Sequence, residues 1–354
     1  MPTARVALVE RPRYPSGMQT AIIWDEAYAE HDTGSHPEGA DRIATIVSYL
    51  QATDLWPSLR LVAPRPATED DILLVHTRQH LEMVRQAAAA GGRWLDGDTH
   101  VSARSFEIAL LAAGGALESI GLWDEGLTSF ALVRPPGHHA LPDRAMGFCL
   151  FNNIAIVAAT LLERGLERIA IIDWDVHHGN GTQAMFLDDP RVLFISLHQW
   201  PLFPGSGWFS ETGVGEGEGF TVNVPLPPGC GDGDYAQAFS ALVEPVVDQF
   251  RPQAVLVSAG QDSHVDDPLG SMVVTEHGFG AMALRCLELA KRRCEGRLAL
   301  VLEGGYDRVA SAHAVEAILR SLVSEEAPVV GAGTAAGLAA VERAVETQSA
   351  YWDV

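Results

Sequence analysis

Residues 169–182 read IAIIDWDVHHGNGT. The apolar run at its start does not alternate, which is how a strand reads when both faces of its sheet are covered. The run stops at a carboxylate. Asp173, Asp175, His177 and His178 then crowd together ahead of a Gly-Asn-Gly turn. In open parallel sheets the ligand lies beyond the carboxyl ends of the strands, so this stretch predicts an α/β sheet with a polar site at its edge. Further β-type runs cover 21–24, 129–133, 192–197, 254–258 and 298–302. Helical patterns lie between them, around 41–51, 79–90, 105–122, 152–164, 235–250, 276–293 and 308–323. The alternation predicts one doubly wound α/β domain over 1–354, with helices on both faces of the sheet. Its motif-bearing core spans about 20–323, and 324–354 form a C-terminal extension with a final amphipathic helix from about Thr334.

Composition narrows the function. Apolar residues make up 47% of the 354 and mean hydropathy is +0.08, values that build a core and argue against disorder or a rod. There is no internal repeat and no linker. No run of ~18 apolar residues is free of charge, and residues 1–20 lack a signal-like apolar stretch. The expectation is no membrane span, no secretory leader and a cytoplasmic location. Asp and Glu outnumber Lys and Arg, 46 to 24, for a formal charge of −22. That argues against nucleic-acid binding, which needs clustered cations, and favours cationic ligands. Cys149, Cys230, Cys286 and Cys294 are scattered and form no CxxC, which fits a reducing compartment. Two stretches, 25–40 and 198–219, read as long loops of the binding or lid type.

The chemistry sits where these strands end. An isolated Asp-x-His more often closes a turn, but Asp173, Asp175, His177 and His178 followed by Gly-Asn-Gly suit a divalent metal with mixed O/N ligands. Asp262 follows the run at 254–258 and alone would be a helix N-cap as often as a ligand. Paired with Asp175 and His177 it completes three ligands with an open position, the mark of a catalytic site. His264, Asp266 and Asp267 read as surface or capping residues. After 129–133, the Arg134-Pro-Pro-Gly-His138-His139 turn offers two imidazoles for acid–base work. After 298–302, Glu303-Gly-Gly-Tyr306 frees the backbone so that a phenol can reach a developing oxyanion. Phe148 and Phe203 flank these motifs as candidate tunnel walls, although aromatics are more often core.

RPPGHHA (134–140), GFCLFNN (147–153), DWDVHHGNGT (173–182), SAGQD with DPLG (258–270) and EGGY (303–306), in that order, resemble the zinc-dependent histone deacetylase family. The likeness is greatest to its class II branch and to bacterial histone deacetylase-like amidohydrolases, with His36-Pro37-Glu38 and Arg42 matching the N-terminal element. The resemblance implies the arginase/deacetylase fold, an open sheet of about eight mostly parallel strands. It implies one Zn²⁺ per chain on Asp175, His177 and Asp262. It makes His139 the general base and then the acid for the leaving amine, with His138 its electrostatic partner. Asp173 would orient His138 and Asn180 would orient His139, while Tyr306 polarises the scissile carbonyl. Gly147, Phe148 and Phe203 match the acyl-lysine tunnel, and Asp98 and Leu269 its rim. Asp173, Asp175, His177, Ser196 and Leu197 match a structural K⁺ site. Phe186, Asp189, Val192 and Phe220 match a second one through carbonyls. The implied substrate is an N-acyl amine, first N-ε-acetyl-lysine in a small molecule or peptide, with acetylpolyamine as the alternative. Homo-dimers or tetramers are expected, with 25–40 as a contact. Two departures stand out. Gln261 and Ser263 flank Asp262 where Phe and Ala are usual, and Leu269 is apolar where polyamine-selective relatives carry Glu.

Overall fold

The strand runs form the centre of a single large sheet in the computed structural model, which describes residues 20–354. The stretch 1–19, part of the segment read as lacking a secretory leader, lies outside the described residues. Strands β1 (Thr20–Ile23), β2 (Arg60–Val62), β5 (Thr128–Ala131), β6 (Ile169–Asp173), β7 (Val192–Gln199), β8 (Thr221–Leu226), β9 (Ala254–Ala259) and β10 (Leu298–Leu302) make this sheet. A small hairpin, β3 (Gly92–Trp94) with β4 (His100–Ser102), stands apart. Among the described residues the large sheet has eight strands in the order β2-β1-β5-β10-β9-β6-β7-β8, and every pairing in it is parallel. Helices α1 (Asp41–Gln51), α2 (Glu69–Ile72), α3 (Arg78–Ala89), α4 (Ser105–Trp123), α5 (Asn153–Glu163), α6 (Asn180–Phe186), α7 (Asp232–Ala238), α8 (Glu244–Phe250), α9 (Glu276–Cys294), α10 (Arg308–Ser324) and α11 (Ala335–Gln348) complete it.

The central strands are buried on both faces, as their unbroken apolar runs require. β2 and β8 were not predicted. β2 is only three residues long. β8 reads TVNVPL, and the Pro and Asn mask it. Proline is tolerated there because β8 is an edge strand. The final helix, expected from Thr334, begins beside it, with the Thr334 side chain capping Gly337 N. α11 packs on β8, and Gln348 donates to the Thr221 carbonyl, so the extension covers one sheet edge. α4 is long and apolar enough to cross a membrane by length and composition, although Glu107 and Glu118 interrupt its apolar run. Here it is a core helix packed on β5 and α5. Gly114 lets it lie close to the 65–67 segment: a Cβ there would sit 1.7 Å from the Arg65 carbonyl oxygen.

The 25–40 stretch is not a free loop. It forms a 3-10 turn, Glu26–Glu30, and then buries His31 and Glu38. Glu38 Oε1 accepts from Arg42 at 2.9 Å and from Arg134 at 2.7 Å. Arg134 also donates to the carbonyls of Tyr28, His31 and Glu38. Two buried guanidiniums thus share one carboxylate, and their remaining donors end on backbone oxygens and the Thr33 hydroxyl, the condition under which buried charge is tolerated.

Candidate active site

Four motifs far apart in the chain meet because their strands are neighbours. In sheet order, the loops after β5, β10, β9 and β6 carry His138 and His139, then Glu303 to Tyr306, then Asp262, then Asp175 to Asn180. β6 ends at Asp173, so the turn beyond it, rather than strand alternation, brings Asp175 and His177 together.

Asp175 and Asp262 are fully buried. His177 Nδ1 lies 3.1 Å from Asp175 Oδ1 and 3.2 Å from Asp262 Oδ2. One potential ligand atom from each residue falls within 4.8 Å of the other two. A single imidazole N–H cannot serve both carboxylates, and among the described residues Asp262 Oδ2 has no hydrogen-bond partner. Burial, then the Asp175 charge, raises the Asp262 carboxyl pKa. Burial disfavours a charged His177, yet the carboxylates of Asp175 and Asp262 beside its Nδ1 drive the imidazole up to about 10. The cluster therefore calls for positive charge, and its O/N donor set fits a divalent cation. The other oxygens are already held: Gly304 N donates to Asp175 Oδ2 at 2.8 Å and Val176 N to Asp262 Oδ1 at 2.9 Å. Backbone crowds in behind them. A Cβ on Gly304 would lie 2.1 Å from Asp262 Oδ2, and one on Gly260 would lie 2.1 Å from Asp175 Oδ2.

The paired histidines differ electrically. Burial disfavours a charged His138, but Asp175 and Asp173 overcome this and hold its pKa well above the imidazole range. Its Nδ1 lies 3.0 Å from Asp173 Oδ2. Burial, then the charges of His138 and His177, push His139 well below that range. His139 Nδ1 lies 2.7 Å from Asn180 Oδ1. A carbonyl oxygen can only accept, so Nδ1 donates and Nε2 is left with its lone pair. Glu303, quoted in its motif without a role, is buried and accepts from Gly137 N at 2.6 Å, His138 N at 3.1 Å and the Ser258 hydroxyl at 3.1 Å. Burial pushes its carboxyl up to about 7.

These groups open into a cavity of about 230 Å³, lined by His139, His177 and Tyr306 together with Asp98, Gly147, Phe148, Phe203 and Leu269. Every expected tunnel and rim residue is there, and Leu202 joins them unforeseen. The Phe203 ring centroid is 5.1 Å from that of His139. Phe148 meets Tyr306 edge-on at 5.6 Å, with φ at 69°, a left-handed backbone that strains a bulky residue. Thr99 Oγ1 accepts its N–H at 3.1 Å. His36 stacks edge-on against Phe148 from outside, a rim contact that the sequence did not signal.

Other expected residues lie elsewhere. Ser196 stands opposite Asp173 in the β6–β7 register, with Leu197 next on β7. Phe186, Asp189 and Val192 share the turn entering β7, and the Phe220 carbonyl meets Phe194 N at 2.9 Å. Gln261 donates to the Ala259 carbonyl at 2.8 Å and is absent from the cavity wall. Two of the residues read as surface or capping require correction. His264 is 2% exposed and stacks on Phe279. Asp267 is 7% exposed and receives several backbone N–H groups. Asp266 is exposed as expected. The four cysteines are free and buried.

Residues 36–322 match the histone deacetylase domain. The chain belongs to the histone deacetylase family. It is a hydrolase of that family, as the motifs implied. A probable deacetylase of Archaeoglobus fulgidus is 46% identical over 294 residues, 82% of each chain. The histone deacetylase-like amidohydrolase of Pseudomonas aeruginosa is 42% identical over 275 residues, 77% of this chain and 72% of that one. The crystal structure of the HDA15 HD domain superposes with a TM-score of 0.88 at 36% identity, covering 94% of this chain and 97% of that one. The deacetylase fold expected from the motifs is thus the fold observed.

Proposed function

We propose that the chain hydrolyses the amide of N-acylated primary amines, foremost N-ε-acetyl-lysine, with one Zn²⁺ on Asp175, His177 and Asp262. The observation that carries this is a neutral imidazole and a phenol lining one aromatic-walled cavity together with His177, itself part of a cation-demanding Asp-His-Asp cluster. Zinc supplies Lewis acidity, polarising a carbonyl and lowering the pKa of a coordinated water to ~7. The chain's own groups do the rest. Phe148 and Phe203 hold the alkyl stem of the substrate and exclude water. His139 Nε2 takes the proton of the attacking water and delivers it to the departing amine, which cannot leave as an anion. His138, held positive by Asp173 and Asp175, steadies the negative charge developing beside it. Tyr306 has its hydroxyl pKa raised well above 10 by burial, so it stays protonated and donates to the oxyanion.

K⁺ on Asp173, Asp175, His177, Ser196 and Leu197, and a second ion at Phe186, Asp189, Val192 and Phe220, would brace the strands behind the site. The acidic surface also supports acetylpolyamines, although Leu269 leaves the rim without a carboxylate at that point. Acetate release from an acetyl-lysine peptide and from N-acetylputrescine by zinc-loaded protein tests both readings. Faster turnover of the peptide is expected. Faster turnover of N-acetylputrescine transfers the assignment to polyamines, and turnover of neither rejects it.

A further inference from the structure

Tyr306 hangs from the freest backbone in the site. Gly305 before it has φ of 120°, a conformation that side chains other than hydrogen rarely adopt. A phenol on such a turn samples many positions unless its surroundings fix it. The ring itself is held on two sides, by the Arg42 guanidinium 4.8 Å from its centroid and by the edge of Phe148. Beneath it, Arg42 Nε donates to the Gly305 carbonyl at 2.7 Å, and the amides of Tyr306 and Asp307 share one carboxylate. Asp267 Oδ2 accepts the N–H of Tyr306 at 2.6 Å and that of Asp307 at 3.2 Å. Its Oδ1 accepts the N–H of Leu269 at 2.9 Å. Asp267 is buried and lies outside the cavity wall, so it touches no substrate.

The loop that carries Asp267 also carries the metal-ligand candidate Asp262 and the rim residue Leu269. The loop closes tightly on itself: a Cβ on Gly270 would lie 2.5 Å from the Asp262 carbonyl oxygen. Beyond Tyr306, Asp307 caps α10 through Ala310 N at 2.8 Å. One closed loop after β9 therefore grips the turn after β10 at the residue bearing the phenol. The distance from the Tyr306 hydroxyl to the cation cluster is set across two loops; Gln261 N joins them at the Gly304 carbonyl at 3.0 Å, and Asp267 joins them at the residue that bears the phenol.

We propose that Asp267 is a positioning residue for hydrolysis: by holding the Tyr306 and Asp307 amides it places the phenol hydroxyl where the oxyanion develops. This rests on the amidohydrolase reading above. A displacement of about 1 Å in such a group can cost ~10²-fold in rate. Asp267→Ala is expected to lower kcat by ~10- to 100-fold with bound metal and KM unchanged. Asp267→Asn keeps one carbonyl oxygen for the Tyr306 amide and is expected to recover part of that loss. Hydrogen exchange at the amides of Tyr306 and Asp307 should quicken in the alanine variant.

The deciding measurement is a double-mutant cycle in kcat with Tyr306→Phe. A residue that acts through the hydroxyl costs nothing further once the hydroxyl is gone. A full additional loss in the Tyr306→Phe background, or normal kcat in a folded Asp267→Ala protein, overturns the proposal. If the alanine variant does not fold, the same cycle is run with Asp267→Asn and read in the same way. Wild-type protein that is loaded with metal yet hydrolyses no acyl amide defeats the activity reading, whereas an active wild type with an additive cycle defeats only the role of Asp267.

Discussion

Single side chains carry the most specific expectations. His139→Ala removes the base and Tyr306→Phe removes one oxyanion donor. Each should cut kcat by ~10²-fold or more while metal analysis shows the ion retained. Near-normal turnover in either variant contradicts the role given to it. His76 offers a test away from the site. Its Nδ1 faces the Leu141 carbonyl at 3.0 Å, and its Nε2 accepts from Asn152 N at 2.8 Å, at the start of α5. Burial, then His80, pushes its pKa down to about 3. The unfolded chain therefore binds a proton below pH ~6.5 that the folded chain refuses. Stability from this residue is complete above that pH and falls by ~1.4 kcal/mol per unit as the pH drops towards 3. The unfolding free-energy gap between wild type and His76→Gln, followed from pH 7 to 5, should shrink accordingly; a constant gap contradicts a buried neutral imidazole.

The elements show what could be read in advance and what could not. The strands at 169–173, 254–259 and 298–302 announce themselves as unbroken apolar runs, and the polar residues after them were legible because a strand end is where α/β sheets present their chemistry. β2 and β8 were not legible, being too short or broken by Pro225. The partners of the catalytic groups were hidden for a different reason. Glu303 and Asp267 act on backbone N–H groups of distant turns, and no spacing in the sequence reveals which turn a carboxylate will meet. The same holds for Gly260 and Gly304, which look like flexible turn residues and prove to be points of close approach. Gly304→Ala should displace Asp262 and Asp175 and weaken metal affinity, read as the free-ion concentration that half-fills the site. Unchanged affinity means that the loop yields. In the 25–40 segment, Glu38→Ala leaves Arg42 and Arg134 without their shared carboxylate. A loss of ~3–5 kcal/mol in denaturant unfolding is expected, since a buried charge is left uncompensated; a loss below ~1 kcal/mol would mean that water replaces it.

At the scale of the molecule, the strand order explains the site. β5, β10, β9 and β6 are adjacent in the sheet though scattered along the chain, so the site exists only when the whole sheet is folded. An ion that binds this arrangement and not the unfolded chain stabilises it by mass action. Chelation should therefore lower the melting temperature as well as abolish turnover. The surrounding acidity, −22 in formal charge, should make capture of cationic substrates weaken with added salt. The central claim is that Asp175, His177 and Asp262 hold one ion on which hydrolysis depends. Titrating chelated protein with Zn²⁺ while following acetate release from an acetyl-lysine peptide tests it most directly. The account predicts no release without metal and a rise that breaks at one equivalent per chain. Release that is already full in the chelated protein, or that stays absent at every metal concentration, would contradict it.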